Sequence, residues 1–169
     1  MRTVTSRVLG CCALAAVVGL VAAAPAGAVV VKGTQVATTG TKSKMKGDLL
    51  GTLKVTRFHL LRDHPVIKFR GRERFEGCID SDRDRSCEGE VSGKLFFKFR
   101  YWLALSDDDE LQLGTCAHRV TGGEGGFAGA SGFLQMIDVP ARNLQGVKTK
   151  YEGDVNLGLG AREEVGPAC

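Results

Sequence analysis

Hydrophobic and polar residues alternate with a period of two along much of this 169-residue chain. In 95–105, leucine and aromatic residues fall on one face, while Lys98 and Arg100 fall on the other. The segments 66–75 and 147–157 alternate in the same way. Further strands are predicted at 29–37, 49–61, 111–120 and 127–137. No stretch beyond the N-terminal region sustains a helical period, so the fold class is all-β, either a sandwich or a closed barrel.

A glycine-rich stretch, 122–132, separates two of these strands. Each glycine inside a helix costs about 1 kcal/mol relative to alanine, so the stretch argues against a helix. It predicts a tight hairpin turn at 122–126 and a strand in close contact with its neighbours. We expect positive φ at one or more of Gly123, Gly125 and Gly129, with Phe127 packed into the barrel or its rim.

This stretch resembles the Gly-Gly-Thr-Gly-x-Phe-x-Gly-Ala-x-Gly signature of the allene oxide cyclase and dirigent-like β-barrels, with Glu124 where threonine is usual. The residues that carry the resemblance are Gly122, Gly123, Gly125, Phe127, Gly129, Ala130 and Gly132. The resemblance implies a small closed antiparallel barrel of about eight strands, assembled in many members as a homotrimer. It also implies activity on lipid or phenolic substrates without a metal or organic cofactor. The signature builds a hairpin and identifies no catalytic group.

The N-terminus is typical of a secretory signal peptide. Arg2 and Arg7 precede an uncharged apolar run at 8–24, and Ala26-Gly27-Ala28 fits a cleavage site. The alternatives are an uncleaved anchor, which Pro25 and the small residues argue against, and a lipoprotein modified on a cysteine of the run. We therefore expect a signal peptide at 1–28, a barrel domain at 29–169, secretion, and no membrane span after cleavage.

The charge balance is mild. From 23 Lys and Arg against 19 Asp and Glu, loss of Arg2 and Arg7 leaves an excess of two positive charges. This small excess predicts no concentrated basic face, and hence no nucleic-acid partner. One strand carries a basic stripe of Lys68, Arg70, Arg72 and Arg74. It could bind an acidic polymer or a carboxylate, but the simpler expectation is a solvated face that cross-strand Asp or Glu neutralises.

Four cysteines remain after the signal peptide, and an even number in an exported domain predicts disulfides. Cys78 and Cys87 flank a short polar loop and are expected to pair. The bridge Cys116–Cys169 follows by elimination. A zinc site is the alternative, but the chain has no Cys-x-x-Cys pair after residue 28.

Several residues are candidates for chemistry. Glu73 lies on the apolar face of its strand, and a carboxylate buried in the barrel would be a candidate acid or base. Phe97, Phe99 and Tyr101 would line an apolar pocket near one mouth of the barrel, or else form packed core. Asp80, Asp82 and Asp84 resemble the start of a calcium loop, but Arg85 replaces the turn glycine, which favours a solvated loop without metal.

Because no catalytic group stands out, the favoured function is non-enzymatic. The protein would bind a small apolar ligand without a cofactor, or serve as an extracellular interaction module. The alternative is a cofactor-free cyclase, isomerase or dirigent-like protein acting on a lipid or phenolic substrate. An aromatic-lined cavity with one or two convergent polar groups would favour this alternative, and a filled lumen would favour a structural role.

Overall fold

A computed structural model of the chain describes residues 27–62, 66–105, 111–139 and 148–158. The strands are β1 (Ala28–Thr39), β2 (Lys42–Gly47), β3 (Leu49–Arg62), β4 (Val66–Ile79), β5 (Ser92–Leu105), β6 (Leu111–Gly125), β7 (Ser131–Val139) and β8 (Lys148–Asn156). None of these described residues forms a helix with the length and apolar character that crossing a membrane requires.

Each strand pairs antiparallel with the next, and β8 pairs with β1 to close the barrel. The prediction of an all-β, closed antiparallel barrel of eight strands is confirmed. Closure leaves no unpaired strand edge along the sheet. The short strand β2 was not predicted, because its sequence Lys-Ser-Lys-Met-Lys-Gly offers a single apolar residue, Met45, which is buried in the lumen.

The two ends of the barrel are filled differently. At one end lie the β2–β3, β4–β5 and β6–β7 connections, and we call it the packed end. Its lumen is filled by large side chains with no measurable exposure, among them Leu49, Phe75, Leu95, Phe127, Leu134 and Val155. Burying each such side chain contributes about 1.5–3 kcal/mol. The opposite end, which includes the β1–β2 turn, is called the cavity end.

The glycine-rich stretch contributes to the strands as well as to the turn. β6 continues to Gly125, and β7 begins only at Ser131, so the turn predicted at 122–126 and the strand start at Phe127 were both wrong. Gly123 pairs with Leu95, and a Cβ there would collide with the backbone of Phe127. The conformational prediction is confirmed, since Gly125 and Gly129 have φ of 66° and 73°. Phe127 is fully buried in the core.

The disulfide Cys78–Cys87 is confirmed, with an S–S distance of 2.04 Å. Cys116 is buried and forms no disulfide within the described residues, and Cys169 lies outside them, so the bridge between the two stays a prediction. The expected signal peptide falls almost wholly on residues that the structure does not describe. Ala28, before the expected cleavage point, pairs with Asn156 in the barrel.

Candidate functional site

A cavity of about 520 Å³ occupies the lumen at the cavity end. Its size falls in the range of about 300–1,000 Å³ that is usual for sites of small molecules. The walls are largely apolar and aromatic, and the apolar side chains that line it are Val55, Phe58, Phe69, Phe99, Tyr101 and Met136. The rings of Phe58, Phe69 and Tyr101 follow one another, with centroids 4.9 Å and 5.8 Å apart. The cavity therefore has a continuous aromatic side.

Gly114 leaves space for two polar side chains of the cavity wall, Tyr101 and Asp138, to approach each other. It lies in β6 between Tyr101 of β5 and Asp138 of β7. A Cβ at position 114 would collide with the Asp138 carboxylate and would lie 2.8 Å from the Tyr101 hydroxyl oxygen. Glycine thus lets these two side chains meet across the intervening strand.

Glu73 and His118 form a buried pair beside the cavity. Glu73 Oε2 lies 2.6 Å from His118 Nε2, and the side chains are 9% and 3% exposed. The contact is close but lacks the angles of a hydrogen bond, and Nδ1 of His118 has no partner among the described residues. Buried polar atoms without partners are rare in proteins, and they are found at sites of proton transfer or ligand contact. The pair is therefore the first candidate for chemistry in this cavity.

The imidazole is held in place by two rings of β5. His118 is stacked on Phe99, with centroids 5.7 Å apart and planes inclined by 27°. It meets Phe97 edge-on, with centroids 6.0 Å apart. Register explains the arrangement, because Glu73 is paired with Phe97 and His118 with Phe99 on opposite sides of β5. The ring orientation is fixed by packing and leaves only the proton to move.

Cys116 lies next to this pair, with its sulfur 3.6 Å from His118 Nε2. Burial, followed by the negative charges of Glu73 and Asp138, raises the pKa of the Cys116 thiol. A thiol nucleophile reacts as the thiolate, which this environment disfavours. The cluster resembles a Cys–His–carboxylate arrangement in composition, but its electrostatics disfavour the thiolate that nucleophilic attack requires.

A second polar cluster centres on Asp138. The Tyr101 hydroxyl donates to Asp138 Oδ2, and Thr149 Oγ1 donates to Oδ1 at 2.6 Å. Burial and the hydrogen bond to Asp138 raise the pKa of Tyr101, so its hydroxyl stays protonated. Gln35 donates to Ser43 at 2.8 Å, and its buried Oε1 has no partner in the described part of the chain. This oxygen could accept a hydrogen bond from a ligand.

The residues predicted for the pocket separate into two groups. Phe99, Tyr101 and Glu73 line the cavity. Phe97 is 1% exposed and belongs to the core below. The sequence reasoning missed His118 as a partner of Glu73. The alternation of Cys116, His118 and Val120 on the buried face of β6 could have placed His118 inside the barrel.

The acidic residues predicted for calcium lie at the packed end. Asp80, Asp82 and Glu90 each have a carboxylate oxygen within 4.8 Å of the others, and they are the described residues that could hold a cation. Asp84 is not part of this group, and its Oδ1 accepts the backbone N–H of Ser86 at 2.6 Å. Glu90, which the calcium-loop comparison did not include, takes its place.

Comparisons of the chain with protein-family models, curated protein sequences and solved structures found no significant match. The resemblance to the allene oxide cyclase and dirigent-like barrels therefore rests on the glycine-rich residues quoted above. The homotrimer that it implies stays a prediction as well.

Proposed function

We propose that this protein binds a small, largely apolar molecule in the lumen of its barrel. The observation that carries the proposal is the cavity of about 520 Å³, whose aromatic wall adjoins two buried polar clusters. Small-molecule sites combine apolar walls with a few polar groups that fix the ligand's orientation. Phe58, Phe69 and Phe99 would contact the apolar body of the ligand. Gln35 and the Glu73–His118 pair would orient its polar group.

A ligand panel tests this proposal. Fatty acids and phenolic compounds are added to the purified protein, and binding is read by native mass spectrometry and by the melting temperature. A ligand that binds the folded state stabilises it by about 2.7 kcal/mol at a concentration of 100 times its Kd. Phe69→Leu should weaken binding, while Phe133→Leu on the outer wall should not. Absence of binding across both ligand classes would contradict the proposal.

A second candidate function is a cofactor-free isomerase or cyclase, and the Glu73–His118 pair is the observation that favours it. A carboxylate and an imidazole 2.6 Å apart are close enough to exchange a proton, and both side chains are almost completely buried. His118 could take a proton from a bound substrate while Glu73 stabilises the resulting imidazolium. The apolar walls would hold the substrate in one conformation during the transfer.

The two functions are distinguished by one variant. Glu73→Gln keeps the size of the side chain but removes the charge that would stabilise the imidazolium. If the barrel is an isomerase, the variant should lose roughly 10²–10⁴-fold in turnover, a much larger loss than any it shows in ligand affinity. If the barrel only binds, no product will form with either protein. Product formation at equal rates by both would exclude Glu73 from the reaction.

A further inference from the structure

The outer wall of β3–β6 carries a concentrated set of positive charges. Six arginine and lysine side chains are exposed there. We call them the basic face, and they are Arg57, Arg70, Arg72, Lys98, Arg100 and Arg119. All six line a surface groove of about 600 Å³. The mild net charge of the chain predicted no such concentrated face, and this prediction was wrong, because net charge does not show how the charges are distributed.

The register places these cations directly opposite one another. Arg57 is paired with Arg72, Arg72 with Lys98, and Lys98 with Arg119, which makes one row of four cations across four strands. Arg70 and Arg100 form a second pair beside this row. Like charges directly opposite each other destabilise a sheet. The expectation that cross-strand Asp or Glu would neutralise the stripe is therefore wrong.

Neighbouring positions on the same strands show the opposite arrangement. Glu76 is paired with Lys94 and Lys94 with Glu124, so the signs alternate across three strands. Lys94 Nζ lies 2.8 Å from Glu124 Oε2. By contrast, none of the salt bridges formed within the described ranges includes a cation of the basic face. The chain neutralises one part of this wall and leaves the other charged.

We propose that the basic face binds an extended anionic polysaccharide, independently of the lumen cavity. Neighbouring strands are about 4.8 Å apart, so a row of four cations spans roughly 14 Å. A linear polymer with regularly spaced sulfate, phosphate or carboxylate groups matches such a row. Five of the six cations are arginines, whose guanidinium groups bind these anions with two parallel hydrogen bonds. The polymer would offset the repulsion within the row.

The row favours this partner over the other anionic partners. A lipid surface presents its charges over a plane, whereas the four cations of the row follow a line across the strands. Single-stranded nucleic acid is bound largely by stacking of bases on aromatic side chains. Two aromatic residues line the groove: Phe99 is buried and stacks on His118 inside the barrel, and Phe133 lies opposite Arg119, beyond the end of the row.

The test uses the full-length protein and heparin, a sulfated polysaccharide, with neutral dextran as the comparison. Heparin should bind, and its affinity should fall steeply with salt because bound counterions are released. Arg72→Gln combined with Lys98→Gln should reduce the affinity roughly tenfold and make the salt dependence shallower by about one unit of slope per cation replaced. The control, Lys148→Gln combined with Lys150→Gln, removes two charges from the outer wall of β8 and should leave binding unchanged.

Three results would overturn the proposal. The first is no binding of heparin at low salt. The second is an equal loss of affinity in the β8 control, which would indicate a response to net charge alone. The third is binding to single-stranded DNA or to vesicles of anionic lipid that equals or exceeds binding to heparin. Each result is independent of whether the cavity binds a ligand.

Discussion

The packed end and the cavity end are built from the same eight strands but are filled differently. Phe75 and Phe127 have no exposed surface at the packed end, whereas Phe58 at the cavity end is 55% exposed. Barrels of this size either fill their interior with side chains or leave space for one small ligand. This barrel does both, at different depths. Stability and binding can therefore be changed separately by substitutions at the two ends.

The elements that stabilise the fold are also unevenly distributed. The disulfide, the turn of the glycine-rich stretch and the Asp48–Arg83 ion pair all belong to the packed end. The cavity end, by contrast, holds buried polar groups in its wall. Burial raises the pKa of Tyr101 and the pKa of Cys116 there. The comparison suggests that the packed end holds the strands in register so that the cavity end can keep space and buried polar groups.

The largest effect should come from the packed core. We expect Phe127→Ala to destabilise the protein by about 3–5 kcal/mol, because it removes a fully buried ring and leaves a void. Phe58→Ala should cost far less, since half of its ring is already exposed. Urea denaturation of both variants gives the two free energies of unfolding. Similar losses at the two positions would remove the distinction between the ends.

The next effect concerns the disulfide. Replacing Cys78 and Cys87 together by alanine should cost about 2–4 kcal/mol, because the bridge restricts the unfolded chain. Ligand affinity at the cavity end should stay the same. The check is the melting temperature measured over a series of ligand concentrations. Weaker binding in the folded variant would mean that the two ends are coupled.

A smaller effect is expected in the turn. Gly125 has φ of 66°, so Gly125→Val should cost more than about 1 kcal/mol through backbone strain. Gly40, in the β1–β2 turn, has no atom within 4 Å of where a Cβ would lie. Gly40→Val is therefore the matched control and should leave the melting temperature nearly unchanged. An unchanged melting temperature for Gly125→Val would show that its conformation is not required.

The smallest effect should be pH dependence at the packed end. Burial alone would raise the pKa of Asp48, but hydrogen bonds from the Arg83 side chain and the Lys32 backbone lower it below its usual value. A lowered pKa stabilises the fold above the ordinary aspartate range, near pH 4, and this stability is lost as the pH falls through the folded-state value. Asp48→Asn should flatten this part of the stability profile. If the free energy of unfolding falls in the same way at acidic pH in both proteins, Asp48 contributes nothing to that loss.

The alternation of apolar residues was sufficient to predict the all-β class, because one buried face with a period of two defines each strand. It left a sandwich and a closed barrel open, and the resemblance of the glycine-rich stretch was needed to favour the barrel. The alternation also placed Glu73, Phe99 and Tyr101 on inward faces. It could not predict the Glu73–His118 pair, since the two residues are far apart in the chain and meet across β5 only in one register.

Register also explains why the basic face was missed. A shift between Val55 and Arg57 in the β3–β4 pairing places Arg57 opposite Arg72. A second shift in the β5–β6 pairing precedes the Lys98–Arg119 pair. Single-residue irregularities of this kind have no reliable sequence signal, and each one changes which charges face each other.

The pairing of β1 with β8 has a consequence for how the molecule forms. Seven of the eight pairings join strands that are consecutive in the chain, and each can form as a local hairpin. The last joins the first and last strands, so closure must await the whole barrel sequence. A sheet with only the seven sequential pairings would have two unprotected edges, β1 and β8. Such non-local closure is a slow step in folding, and the interval before it is when the chain is most exposed to aggregation.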